Sequence, residues 1–413
     1  MTIPATPLAN PHLSVRLRPY STNIFTTITA LANQHQAINL SQGFPDFDGP
    51  DFIKHAAADA LLTKSNQYAP MPGIMELRRA LAQRFTNDSG LACSPDTDVT
   101  VTCGCTEALP AAVFGITNPG DEVLLFQPFF DIHRTSIILA GCTPVPITLH
   151  TPTEALDEPS ALAGPNQFWF DPAALKAAIT PRTRAIVINT PHNPTGKVFT
   201  RAELALIAEL CVKHNLVAIC DDVYERLLFD PALPHIHLAT MPGMAERTIT
   251  LSSLGKTFSL TGWKIGWAIA CPALSACVRA AHQFLTFSIA TPLQHASAVA
   301  IAREAECLPP LVSLLKANCE LLGQTLDNLG MKPYLPPSGY FIMADVRALC
   351  AKLNLADDVA LVHWLIEHVG VATIPCSGFY ADPALGKHMV RFAFCKKRET
   401  VVEGTRRLTA KLG

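Results

Sequence analysis

The sequence predicts a mostly parallel α/β sheet covered by helices on both faces, with a smaller α+β domain beside it. Three observations carry that expectation. From residue 98 to residue 222, short β-branched runs alternate with helical stretches, the pattern of parallel strands joined by crossover helices. Cys105-Thr106, Phe130, Asn193, Asp221 and Ser253 to Lys256 each follow or end one of those runs. In such a sheet, ligands sit beyond the carboxyl ends of the strands. After Lys264 the pattern changes, becoming mainly helical over 272–330 and mixed over 331–413.

Taken in order, residues 1–24 are Pro-rich and read as an arm. Phe25 to Asn33, Asp51 to Lys64 and Ile74 to Phe85 have helical apolar spacing; Leu77, Leu81 and Phe85 fall on one stripe. Between them, Ile38 to Phe47 reads as a short strand running into a turn. Strands are expected at Val99–Thr102, Glu122–Phe126, 143–148, Ala185–Asn189, Leu216–Cys220, Thr248–Leu251 and Ile265–Ala270. Asp171 followed by Pro172 predicts one helix start, and Thr200 with Glu203 predicts a capping box for another. Residues 150–167 read as a long polar loop. A chain of 413 residues exceeds one ordinary core. The expected division is an N-terminal arm and part of the small domain over 1–45, a large ligand-binding domain over 46–290, and a small C-terminal domain over 291–413.

The chain is 49% hydrophobic and 16% charged, with a net charge of −2, a balance that suits a soluble globular protein. It gives no reason to expect nucleic acid or an anionic membrane as a partner. No apolar run approaches the ~18 residues of a membrane span, and Met1 to Pro7 lacks the pattern of a signal peptide. The 13 cysteines include no CxxC pair, so reduced, mostly packed thiols in the cytoplasm are expected and no metal-ligating pattern is read.

The chemistry centres on Ser252-Ser253-Leu254-Gly255-Lys256-Thr257-Phe258, followed by Thr261-Gly262-Trp263-Lys264. A lysine just past a strand end among apolar neighbours is desolvated, which leaves more of its amine neutral and nucleophilic toward an aldehyde. Hydroxyls at Ser252 and Ser253 and the cation of Lys264 suit a phosphate. An aldehyde-binding lysine beside a phosphate site suggests pyridoxal 5'-phosphate. Asp221 is placed to pair with a pyridinium nitrogen, and Asn193 and Tyr224 to donate to the ring oxygen. Phe130 offers a stacking face. The N–H groups of Cys105 and Thr106 at a helix start, the Thr106 and Ser253 hydroxyls and Lys264 offer a phosphate cradle. Arg391, in the apolar strand Met389 to Phe394, must snorkel, pair with an internal acid or receive a ligand carboxylate. Each position alone has an ordinary alternative: a turn lysine, a capping aspartate, a core phenylalanine. Their shared placement at one sheet edge outweighs those alternatives.

These residues resemble the pyridoxal-phosphate-dependent class I and II aminotransferases of fold type I, more narrowly the kynurenine/glutamine and methionine aminotransferase subgroup. The resemblance runs from Asn39-Leu40-Ser41-Gln42-Gly43-Phe44-Pro45-Asp46-Phe47 to Val390-Arg391-Phe392. Its most specific parts are Asn189-Thr190-Pro191-His192-Asn193-Pro194-Thr195-Gly196, Asp221-Asp222-Val223-Tyr224-Glu225 and the lysine segment. It implies a seven-stranded sheet in the large domain. It also implies that Lys256 carries the cofactor and shuttles a proton, and that Arg391 clamps the substrate carboxylate with help from Asn193 and the Gly43 backbone. Tyr68 would reach the phosphate of a neighbouring subunit in a homodimer with shared active sites. The substrates would be an L-amino acid and a 2-oxo acid.

Thr106 stands where kynurenine-using relatives carry a tyrosine, and Ser288 where some carry a histidine; Asp222 replaces a usual glutamate. The first two departures, with the apolar surroundings Phe44, Phe129, Phe287 and Tyr340, favour a methionine-like, aromatic or glutamine-like donor. A C–S β-lyase acting on cysteine conjugates is the alternative within the cofactor class, and a non-catalytic regulator the alternative outside it.

Overall fold

The structure, a computed structural model, describes residues 12–20, 24–153, 162–164 and 166–413. Most of the expected N-terminal arm and the centre of the loop at 150–167 lie outside the described residues.

Seven strands form the main sheet: β1 (Val99–Cys103), β2 (Glu122–Gln127), β3 (Thr143–Thr148), β4 (Thr183–Asn189), β5 (Val217–Asp221), β6 (Thr248–Ser253) and β7 (Ile265–Ile269). Their spatial order is β1-β7-β6-β5-β4-β2-β3. Only β7 runs antiparallel to its neighbours; the other ladders are parallel. The β-branched runs explain why these segments pair, and burial on both faces explains apolar stretches such as Val217-Ala218-Ile219-Cys220, while β1 and β6 alternate threonine with apolar residues. Of these seven strands β3 alone contains proline, Pro144 and Pro146. Proline cannot donate to a ladder, and β3 accordingly lies at the sheet edge.

The crossover helices return each strand to the same edge. Helix Arg201–His214 starts on the capping box: Thr200 Oγ1 accepts from Glu203 N at 3.2 Å and Glu203 Oε2 accepts from Thr200 N at 2.9 Å. Asp171 caps helix Pro172–Ala177 by accepting from Ala173 N at 2.8 Å.

A second sheet of four antiparallel strands comprises, in spatial order, Ile374–Pro375, Met389–Ala393, Phe341–Asp345 and Lys332–Tyr334. Helices Glu304–Asn328 and Arg398–Leu412 pack against each other beside it. The N-terminal segment joins this region, because Ile38–Asn39 pairs in parallel with Val371–Ala372. Ala393 N then donates to Leu40 O at 2.7 Å, which carries residues 41–44 toward the edge of the main sheet. Helix Thr291–Ala302 packs with helices Asp51–Thr63 and Met75–Ser89. The boundary expected at residue 291 therefore runs through one packed cluster.

Candidate active site

The carboxyl edge of the main sheet and the strand holding Arg391 enclose a cavity of about 480 Å³. That lies within the ~300–1,000 Å³ usual for small-ligand sites.

One end is built by a turn over β7. Gly104 has φ +66, a region that glycine enters without cost, and helix Cys105–Ile116 starts directly after it. A Cβ on Gly266 would lie 2.4 Å from the carbonyl carbon of Gly104 and 2.7 Å from Cys105 N. Only glycine at 266 lets the helix start lie flat on the strand. Lys264, itself left-handed at φ 55, donates from Nζ to Thr106 Oγ1 at 2.7 Å. The exposed N–H groups of a helix start, a hydroxyl and an ammonium together make an anion site.

The middle is built by β5 and β6. Asp221 Oδ1 accepts from Cys105 Sγ and from Val223 N, each at 3.3 Å, while Oδ2 lies 2.9 Å from His133 Nε2. Burial, reinforced by Asp221, pushes the Cys105 thiol well up, so it stays a donor to the carboxylate. Asn189, at the end of β4, donates from Nδ2 to Asp221 O at 2.7 Å and accepts from Asn193 N at 2.7 Å. It thus fixes the two neighbouring strand ends together. Lys256 sits in a single helical turn after β6, and its Nζ donates to Gly43 O at 2.8 Å. Tyr340 Oη donates to the Lys256 carbonyl at 2.9 Å and holds that turn in place. Desolvation is the main cause that pulls the Lys256 amine down to about 8, opposed by nearby Cys395. A normal lysine is almost wholly charged at neutral pH; this one has an appreciable neutral fraction.

At the other end, Arg391 is 2% exposed. Its Nη1 donates to Asn193 Oδ1 and its Nη2 to Ser41 O, both at 3.1 Å, and its guanidinium lies 3.9 Å from the Phe341 ring centre. No carboxylate among the described residues pairs with it, and its buried Nε has no partner. Burial pulls Arg391 down to about 10, which leaves it cationic at neutral pH. A buried cation with an unused donor is costly unless a ligand anion completes it.

Of the residues singled out from the sequence, Gly43, Cys105, Thr106, Phe130, Asn193, Asp221, Tyr224, Ser253, Lys256, Lys264 and Arg391 all line this cavity. Tyr68 does not. It is 85% exposed and packs edge-on against Phe287, with ring centres 5.5 Å apart. The expected aromatic surroundings need correction. Phe44 lines the cavity, but Phe129 is core, Tyr340 faces the Lys256 backbone, and Phe287 sits beside Tyr68. Phe25 and Phe341 line the wall instead. Side chains alternate along extended chain, so a neighbour one residue away points to the other face. Gly43 offers its carbonyl to Lys256. His133, Asn189 and Asp131 are additions: Asp131 and Asn189 line the cavity, and His133 is held against Asp221. The sequence offered no signal for His133 beyond its place two residues after Asp131.

A desolvated amine, a hydrogen-bonded carboxylate and an anion cradle in one cavity match the three polar features of pyridoxal 5'-phosphate: aldehyde, ring nitrogen and phosphate. The site thus defines an enzyme of the pyridoxal-phosphate class. Residues 35–408 match the family model described as aminotransferase class I and II, and the chain belongs to that family. It is 44% identical over 403 residues to the probable N-succinyldiaminopimelate aminotransferase DapC of Mycobacterium tuberculosis, covering 95% of this chain and 97% of that one. It is 38% identical over 394 residues to the methionine aminotransferase of Escherichia coli, covering 95% and 97%. The solved structure of N-succinyldiaminopimelate aminotransferase from Mycobacterium tuberculosis superposes with a TM-score of 0.89 at 44% identity, covering 96% of this chain and 99% of that chain. The protein is therefore a pyridoxal-phosphate-dependent aminotransferase of fold type I. Among the described residues, no helix is long and apolar enough to cross a membrane.

Proposed function

We propose that this aminotransferase takes its amino group from an L-amino acid with an uncharged side chain, methionine-like, aromatic or glutamine-like, and passes it to a 2-oxo acid. The observation that carries this reading is the charge of the cavity wall. Its cations among the described residues are Lys256, Lys264 and Arg391. Lys264 lies by Thr106 and Lys256 by Gly43, so Arg391 is left for one carboxylate. Around it the wall is Phe25, Phe44, Ile132 and Phe341, together with Asp131, a carboxyl that burial raises. A second carboxylate on the substrate meets apolar surface and an acid there.

When bound, pyridoxal phosphate supplies the electron sink for the charge left at the substrate Cα. Thr106, Ser253, Lys264 and the helix start at Cys105 would hold its phosphate. Asp221, kept in place by His133, Cys105 and Asn189, would pair with its ring nitrogen. Tyr224 and Asn193 would face the ring oxygen, and Phe130 the ring plane. Arg391 orients the α-carboxylate, and the neutral amine of Lys256 removes and returns the proton at Cα. Positioning of that kind, with acid–base transfer, accounts for a contribution of roughly 10²–10⁴-fold from the lysine alone.

Residues 24–45 would join residues 303–413 in the smaller domain, leaving helix Thr291–Ala302 with the large one. Tyr68 and its exposed neighbours Leu61, Leu62 and Phe287 favour a homodimer in which Tyr68 completes a partner's phosphate site. The thirteen unpaired cysteines favour a reducing, cytoplasmic setting.

The test is a panel of amino acids added to the purified protein, followed by the loss of cofactor absorbance and the 2-oxo acid formed. Methionine, phenylalanine and glutamine should convert the cofactor faster than aspartate or glutamate. A dicarboxylic donor in first place would overturn the reading. Pyruvate and ammonia from cysteine conjugates would instead mark a C–S β-lyase. One second reading has its own support: the 44% identity to the Mycobacterium tuberculosis relative favours N-succinyldiaminopimelate as a substrate, and that compound belongs in the panel.

A further inference from the structure

Behind the cavity, on the far side of Asp221, four metal-ligating side chains converge that the reaction does not use. They are Asp222, Glu225, His235 and His237, whose candidate ligand atoms all lie within 4.8 Å of one another. We propose that they form a binding site for one divalent cation of the zinc class, separate from the cofactor site.

The geometry is the first argument. Asp222 Oδ2 lies 3.1 Å from His235 Nε2 and 3.1 Å from His237 Nδ1, and the two nitrogens lie 3.3 Å apart. A tetrahedral ion with bonds of about 2.0–2.1 Å has ligand–ligand edges of about 3.3 Å. Three edges of that tetrahedron are thus already present, with the Glu225 carboxylate nearby for the fourth corner. His235 and His237 are two residues apart in non-helical chain, and His237 is extended at φ −65 and ψ 123, which lets both rings face one point.

Burial is the second. The side chains of Asp222, Glu225, His235 and His237 are 1%, 5%, 7% and 6% exposed. Oδ1 of Asp222 is buried with no partner. A hydrogen-bonded triad therefore leaves an acceptor unused, although that carboxylate is almost wholly out of water.

Charge is the third. Asp222 and Glu225 belong to a network in which Arg84 pairs with Glu225 and Glu304, and Arg226 with Asp88 and Glu304. Four carboxylates face two guanidiniums. Between these carboxylates and guanidiniums alone, two negative charges stay uncompensated in a mostly buried cluster, a costly arrangement. One dication balances them. Two imidazole ligands with carboxylate oxygens select zinc, cobalt or nickel over magnesium or calcium, which prefer all-oxygen shells. Because Asp222 follows Asp221 directly, an ion here would stiffen the strand end that carries the cofactor-facing carboxylate.

The experiment uses the cofactor-loaded protein, dialysed against a chelator and then titrated with zinc chloride by calorimetry, with metal content measured after gel filtration. One zinc per chain is expected, together with a rise in the thermal midpoint at saturating zinc. Cobalt(II) should give the visible bands of a tetrahedral nitrogen/oxygen site, without the thiolate charge-transfer absorption that binding at a cysteine would produce. The double variant His235→Asn, His237→Asn should lose affinity by more than the roughly 10–100-fold that outer-shell changes cost. Its fold is checked by circular dichroism and cofactor absorbance. Should that variant not fold, the cobalt spectrum and the zinc-dependent midpoint of the unmodified protein decide. Absence of stoichiometric zinc, zinc bound equally well by the folded variant, or a thiolate cobalt spectrum each overturns the proposal.

Discussion

The two ends of the cavity present cationic groups by opposite means. The end at Thr106 is open: Thr106 and Lys264 are exposed, and its parts come from three adjacent strands, the turn after β1, the turn before β7 and the end of β6. The end at Arg391 is closed. Its guanidinium is 2% exposed and is held by Ser41 and Asn193, residues 350 and 198 positions away in the chain. An exposed site depends on many weak donors and tolerates loss of one. A buried site concentrates its effect in a single charge, because low dielectric strengthens each contact and makes each unpaired group costly. On the proposed assignment of the two ends, the difference would suit a cofactor that stays at one and a substrate that is recognised, desolvated and released at the other.

Four changes put that contrast to the test, from the largest effect downward. Lys256→Ala, between the two ends, should lower kcat/KM by at least about 10⁴-fold, since it removes both the cofactor-binding amine and the acid–base group; single-turnover kinetics with excess cofactor measure it. Arg391→Ala should cost about 2–5 kcal/mol, the usual toll for truncating a buried charge partner. It should appear mainly in KM, while the cofactor Kd stays nearly unchanged. If Arg391→Ala weakened cofactor and substrate equally, the two ends would not be independent. Gly266→Ala places a methyl group against Gly104 and Cys105. It should cost about 1–3 kcal/mol of stability, as overpacking does, and weaken cofactor binding more than substrate binding. Lys264→Gln should raise the cofactor Kd by only about tenfold, the worth of one charged hydrogen bond. That effect should shrink as salt rises, because the site is exposed. A salt-independent loss of a hundredfold or more would show the phosphate end to be closed after all.

Acidity gives a further test. The Lys256 amine is lowered to about 8 by burial, so its neutral form grows as pH rises through that value. Capture of pyridoxal phosphate by the cofactor-free protein should therefore speed up from pH 6.5 to pH 8 and level off above about 8.5, whereas an ordinary lysine would keep accelerating toward about 10.4. Linkage has the same sign. Between about 8 and 10.4 the unfolded chain holds the proton and the folded one does not, so this group's contribution to stability rises with pH in that window. Stopped-flow absorbance and chemical denaturation at a series of pH values read the two effects.

Much of the open end could be read from the chain because each of its residues sits at a strand end, although Thr106 and Lys264 lie 158 positions apart. Gly104-Cys105-Thr106 follows one β-branched run and Ser253 to Lys256 another, and a strand end next to a helix start places side chains at a known edge. The capping box at Thr200 and the cap at Asp171 were legible as contacts across two or three residues. The aromatic wall was legible only in part: Phe130 and Phe44 were read from the chain, Phe25 and Phe341 were not. Phe129 and Phe130, or Tyr340 and Phe341, differ by one position, and which of the two faces the cavity depends on a register that no local pattern contains. His133 was missed because its partner, Asp221, lies 88 residues on.

What the amino-acid order determined by itself is therefore the alternation of strand and helix, the edge at which the ligand groups gather, and the lysine at its centre. These follow from periodicity and from bonds between near neighbours. Tertiary structure alone decided that Arg391 is left with a free Nε, that Asp222 meets two histidines, and that Tyr68 points out of its own chain's cavity. Each depends on packing between segments far apart in sequence. There the cost of burying a charge, rather than any local preference, selects the partner.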